Sequence, residues 1–181
     1  FSFGEYEKDL INYLNVPYIE LHQVGSLKLN LFLKESSNHI EDDSICFISQ
    51  YVSKFEKSKD KVSRDSILRM EEIYRNLLNC SKSKKINVAL RSDKKDLDFK
   101  KEKEFYLKLS SRSNLKENDK SHFSSYEIAF SSSLILAMDS TLAFEMFGSG
   151  KKVLFCDFAK NQKFTNRQGV DFLFKKLPDE L

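Results

Sequence analysis

Four short apolar runs constrain this chain more than any other feature. They are Ile45-Cys46-Phe47-Ile48, Ile86-Asn87-Val88-Ala89-Leu90, the stretch over residues 132–138, and Val153-Leu154-Phe155-Cys156. Each has strand length and is apolar nearly throughout, the pattern of a strand covered on both faces in a parallel sheet. Segments of helical period lie between them. Ile67, Leu68, Met70, Ile73, Tyr74, Leu77 and Leu78 mark one face of a helix over residues 64–78, with Ser63 as its cap. Residues 96–109 read as a charged helix with a thin apolar stripe of Leu97, Phe105, Tyr106 and Leu109. Another helix opens at Asp139-Ser140-Thr141, runs through Leu142, Phe144, Met146 and Phe147, and stops at Gly148 and Gly150. Strands alternating with helices imply an α/β domain, a Rossmann-like parallel sheet flanked by helices.

The rest is less regular. Residues 5–14 have approximately helical spacing, Pro17 bars further helix, and residues 18–21 look extended. Gly25-Ser26 offers a turn and an N-cap for a short helix through Leu27, Leu29, Leu31, Phe32 and Leu33. Residues 34–43 form a polar loop and 54–61 a charged one, while residues 110–125 are polar and show no clear period. The expectation is a single Rossmann-like domain over residues 1–181, with its core at about 17–158. A chain that begins at Phe1 and not Met reads as a piece of something longer.

Charge and cysteine usage narrow the function classes. Thirty Lys plus Arg against 27 Asp plus Glu leave +3, and the two signs are interleaved. That is no basic stripe, so nucleic acid is not an expected partner. No apolar run approaches the roughly 20 residues of a membrane-spanning helix, and no secretory leader is visible. Peripheral membrane association remains open. Cys46 and Cys156 sit inside apolar runs, where free Cys packs as a small hydrophobe. No CxxC or Cys/His spacing suggests zinc. The expectation is a reduced, cytoplasmic protein without a metal.

In open parallel sheets, ligands bind beyond the carboxyl ends of the strands. The strongest signal there is the passage from Leu134 to Glu145, where a buried strand feeds a helix opening on two hydroxyls. Free N–H groups and the positive dipole end at a helix start attract phosphate. Ser140 and Thr141 add donors, and Glu145, four residues after Thr141, projects on the same face. A carboxylate there suits a ribose diol. The competing reading is that Asp139, Ser140 or Thr141 only caps the helix and Glu145 completes the cap. Neither GxxxxGK[ST] nor GxGxxG occurs. Asp96 and Asp98 read D-x-D, but at a helix start. His22, after the extended segment, is the histidine best placed as a general base; a partly buried His bonded to backbone is the alternative. His39 and His122 lie in polar loops.

The passage SSSLILAMDSTLAFEMFGSGKKVLF, residues 131–155, resembles the C-terminal donor-binding half of GT-B glycosyltransferases, especially those of capsule and O-antigen biosynthesis. In that group a strand ends in D/N-S-T-L-x-x-E, followed by glycine, one or two lysines and a buried strand. VGSLKLNLF (24–32), ICFISQYV (45–52) and INVALRS (86–92) also look like earlier strands and turns of the group. The resemblance implies a nucleotide-sugar donor held with its phosphates on Ser140 and Thr141 and its ribose on Glu145. Arg91 would neutralise diphosphate or a sugar carboxylate, Gly25 and Ser26 would form a turn near an interdomain cleft, and Gln50 and Tyr51 would flank base or sugar. The acceptor would be a glycan or lipid-linked glycan, with the N-terminal acceptor domain of the two-domain architecture absent. Leu90-Arg91-Ser92 stands where many relatives carry His-Pro, and Lys151-Lys152 where many carry Pro. A sugar-nucleotide 2-epimerase-like domain and a non-catalytic α/β binding module are the rival readings.

Overall fold

The apolar runs become four of the strands of one parallel sheet, three of them inner and the last, over 153–155, at an edge. The computed structural model describes residues 9, 11–20, 22, 25–35, 41–111, 114–119 and 123–156. Among these, five strands, β1 (Asp42–Ile48), β2 (Lys85–Asp93), β3 (Asn114–Asn118), β4 (Ser132–Ala137) and β5 (Val153–Phe155), lie in the order β3-β2-β1-β4-β5. Every neighbouring pair is parallel. The helices are α1 (Leu27–Glu35), α2 (Ser53–Glu56), α3 (Lys61–Cys80), α4 (Asp98–Leu109), α5 (Ser124–Ser131) and α6 (Thr141–Gly148). This is a Rossmann-like α/β arrangement. The chain divides into two compact units: Phe32–Phe158 holds the sheet, and the described residues up to Leu31 belong to the other.

The two sheet faces are built differently. Ile45, Phe47, Ile86, Val88, Leu90 and Leu136 pack against α3 and α4, where Ile67, Met70, Ile73, Tyr74, Leu77, Leu78 and Tyr106 complete one core. Its centre is aromatic, with Phe47 5.0 Å from Tyr74 and Tyr74 5.0 Å edge-on to Tyr106. Such tilted pairs contribute about 0.5–1.5 kcal/mol beyond area burial. Among the alternate residues, which point the other way, Cys46, Ala89 and Ala137 are small and buried beside the larger Ile48 and Ile135, as are Ala129 of α5 and Ala143 of α6. Small side chains let α5 and α6 approach the sheet closely. Burial pushes the Cys46 thiol up to about 12, so it packs as a hydrophobe.

A row of buried polar side chains crosses the sheet near its amino edge. Asn114 donates to Asn87 Oδ1 (2.7 Å), Asn87 donates to Ser44 Oγ (2.9 Å), and Ser44 and Ser132 hydroxyls meet at 3.0 Å. Ser132 also donates to Ile128 O. The row ties β3, β2, β1 and β4 together, and a slip of register would leave its members unpaired in a low-dielectric interior.

Several boundaries differ from the sequence expectation. Helix α3 begins at Lys61 because Asp60, not Ser63, is its cap: the Asp60 carboxylate accepts from Val62 N–H (3.3 Å) and Ser63 N–H (2.9 Å). The charged loop over 54–61 contains the short helix α2. Strand β2 continues to Asp93, so Arg91 lies within the strand and not at its end. Residues 17–20 carry no strand. Gly148 closes α6 in helical conformation, whereas Gly150, at φ +86°, makes the turn that stops it. Lys151 N–H bonds to Met146 O and Gly150 N–H to Phe147 O, the paired bonds of a Schellman end. Ser26 caps α1 as expected, accepting from Leu29 N–H at 3.1 Å, with Gly25 before it at φ +66°.

Candidate functional site at the carboxyl edge of the sheet

Strand order locates the crevice. From β1 the chain steps outward to β2 and β3, then returns to the far side of β1 for β4 and β5. The reversal falls between β1 and β4, and such switch points are where open parallel sheets bind ligands. The residues leaving β1 are Ser49, Gln50 and Tyr51; those leaving β4 are Met138, Asp139 and Ser140, with α6 starting at Thr141.

The β1–β2 side of this edge is closed from within. Glu102 of α4 is fully buried, and its carboxylate accepts from the Ser49 hydroxyl and from the N–H groups of Arg91 and Ser92, both at 2.8 Å. Three donors around a buried carboxylate meet the requirement that buried charge be hydrogen-bonded. Ser53 donates to Asp98 at 2.5 Å, joining the start of α2 to the start of α4. Tyr51 is buried against Phe105 at 5.1 Å and is a core residue, its hydroxyl pushed above the ordinary value by burial and then by the Glu56 carboxylate. Gln50 is half-buried. The Arg91 guanidinium is exposed, its backbone pinned by Glu102. The β2–β3 register shifts between Ala89 and Asp93, so Arg91 stands at an irregular point of β2.

The β4 side is arranged otherwise. Ser140 is the N-cap of α6 in extended conformation (φ −135°, ψ 130°), yet its side chain makes no capping hydrogen bond, and the first turn of α6 holds no acidic residue. Among the described helices, α1 and α3 are capped by a side chain, and α2, α4 and α5 carry an acid in the first turn. Helix α6 has neither. Asp139 and Ser140 are half-buried and Thr141 is exposed. Glu145 does not complete a capping box, since it stands two positions beyond the place such a box needs. It accepts instead from the Tyr126 hydroxyl of α5 at 2.6 Å. Behind the mouth, Phe144 stacks on Phe155 at 4.6 Å and fixes α6 to β5.

Ser140, Thr141, Glu145 and Asp139 therefore share one helix start, and Arg91 lies on β2, two strands from β4. His22, Gly25 and Ser26 belong to the other unit. There, the Ser26 hydroxyl is used in capping, and the exposed His22 places Nε2 3.2 Å from the Glu20 carboxylate. Gln23, Asp157, His39 and His122 lie outside the described residues. Tyr126 and Glu102 escaped sequence reasoning. The one available signal for Tyr126 was chemical: a half-buried glutamate on an apolar helix requires a donor.

Among the described residues, no group of three His, Cys, Asp or Glu side chains is placed to hold a metal ion, and no helix is long and apolar enough to cross a membrane. Cys46 and Cys156 are buried and Cys80 is exposed, all free thiols.

Residues 11–172 match a protein family described as "putative O-antigen biosynthesis protein". The chain belongs to this family. Membership supports a context of surface-carbohydrate biosynthesis. No curated protein matches the chain.

Proposed function

We propose that this chain is the donor-binding domain of a nucleotide-sugar-dependent glycosyltransferase of the GT-B type, acting in surface-polysaccharide biosynthesis. The observation that carries the reading is the mouth of α6: a helix start at the switch point, with no capping bond from Ser140 and no first-turn acid. Amide N–H groups and the dipole there suit the diphosphate of a sugar nucleotide. Ser140 and Thr141 hydroxyls add donors, Arg91 opposes the phosphate charge as a two-point guanidinium, and Glu145 takes the ribose. As the sugar transfers, negative charge gathers on the departing nucleotide phosphate, and oriented amides with Arg91 stabilise it. The acceptor would be a glycan or lipid-linked glycan, and His22 is the sequence's candidate for a general base.

Calorimetric titration with CMP-, CDP-, UDP- and GDP-sugars tests the proposal. One of them binds, and Ser140→Ala or Glu145→Ala weakens it by roughly tenfold each, the scale of a hydrogen bond to a charged group. Absence of binding at millimolar concentration leaves a non-catalytic module. Binding that persists unchanged in both variants puts the nucleotide somewhere other than α6.

A further inference from the structure

Charge is distributed unevenly over the sheet unit. Residues 54–64, leading from α2 into α3, and residues 91–101, leading from the end of β2 into α4, hold ten Lys and Arg against five Asp and Glu. These two segments more than account for the chain's formal +3. They leave the carboxyl ends of adjacent parallel strands, and the Ser53–Asp98 bond ties them together. Their acids are engaged within the fold: Asp60, Asp93, Asp96 and Asp98 each accept from N–H or O–H groups of this chain. Their cations turn outward. Lys57, Lys59, Lys61, Lys95, Lys100 and Lys101 are all exposed.

Apolar side chains stand among these cations. Leu97, at the N-cap of α4 between Lys94-Lys95 and Lys100-Lys101, is 96% exposed. Val62, in the first turn of α3 between Lys61 and Arg64, is 51% exposed. A helix start usually holds a short polar side chain whose oxygen takes up a free N–H, and Leu97 supplies no such bond. An aliphatic group held clear of the fold gains nothing from water or from a soluble polyanion. It does gain by entering the boundary between headgroups and acyl chains, where lysines beside it meet anionic headgroups. Independently of the nucleotide-sugar reading, we propose that this part of the carboxyl edge, led by Leu97 and the lysines around it, docks on an anionic lipid bilayer surface.

The test sediments the full chain with vesicles of phosphatidylcholine mixed with phosphatidylglycerol, and with vesicles of phosphatidylcholine alone. Partition into the mixed vesicles is stronger by roughly tenfold or more and falls as salt rises, since each lysine near an anionic surface contributes about fivefold. Replacing Lys57 and Lys59, or Lys100 and Lys101, by Ser lowers partition by roughly tenfold per pair. Lys82→Ser, in the turn before β2 at the opposite edge, has little effect. Leu97→Ser lowers partition by about tenfold, the apolar contribution of one leucine, leaves the salt dependence unchanged, and melts like wild type because the side chain packs against nothing. No binding to mixed vesicles, equal binding to neutral ones, or a loss in Lys82→Ser matching that of the pairs overturns the proposal. Undiminished partition in Leu97→Ser overturns it too. In that case single-stranded RNA that binds wild type and Leu97→Ser alike assigns the lysines to a soluble polyanion instead.

Discussion

The two halves of the sheet's carboxyl edge contrast sharply. On the β1–β2 side, the buried Glu102 carboxylate collects Ser49, Arg91 N–H and Ser92 N–H, and Asp60 closes the start of α3. On the β4 side, α6 opens with no capping bond from Ser140 and no first-turn acid. Both halves follow strands of similar apolar character, so the difference is not one of hydrophobicity. It lies in where carboxylates have been spent. A helix start capped by a carboxylate repels a further anion, whereas the N-cap of α6 is the neutral Ser140, with the Asp139 carboxylate one residue before it.

The largest expected effect comes from breaking the closed half. Glu102→Leu leaves two strand-end N–H groups and a buried hydroxyl without their acceptor, and lowers unfolding free energy in urea by about 3 kcal/mol or more. A loss under about 1 kcal/mol would mean that the seam is not held by this carboxylate. A smaller loss is expected from Asp60→Ala, and it depends on pH. The Ser63 hydroxyl, with the Ser63 and Val62 amides, holds the Asp60 carboxylate below its ordinary range. Its folded value is thus lower than its unfolded value, so its stabilisation is present above the ordinary carboxylate range and disappears as pH falls through the depressed value. Melting curves of wild type and Asp60→Ala should therefore be separated at neutral pH and converge in acid; a constant gap contradicts the assignment. The smallest effect on stability belongs to Ser140→Ala, within about 0.5 kcal/mol of wild type, because no capping bond is lost. A drop on the scale of a lost cap, about 1 kcal/mol, would erase the contrast between the two helix starts.

How far the sequence foretold this depends on the kind of signal each part carries. Strands β1, β2, β4 and β5 announced themselves as apolar runs, and α3, α4 and α6 by period. Strand β3, reading Asn-Leu-Lys-Glu-Asn, did not, because an edge strand need not be apolar on both faces. Helix α5 is short, begins after Phe123 at φ 53°, and follows a polar stretch without a capping residue. The polar row Asn114–Asn87–Ser44–Ser132 joins residues from four separate strands, and no local pattern encodes it. The site divides in the same way. Asp139-Ser140-Thr141 at a strand end was legible because strand, hydroxyls and helix are contiguous. Glu102 and Tyr126 were not, since their meaning comes from partners 53 and 19 residues away. The stretch expected to be extended over 18–21 pairs into no strand where it is described, at residues 18–20.

The most direct test follows backbone amides by ¹⁵N–¹H NMR while pyrophosphate and then a sugar nucleotide are added to the full chain. The largest shifts are predicted at the N–H groups of Thr141, Leu142 and Ala143, with little change at Val62 and Ser63, whose amides already donate to Asp60. Shifts centred on α3 and absent from α6, or no shifts at millimolar ligand, would contradict the assignment of α6 as the phosphate-binding mouth.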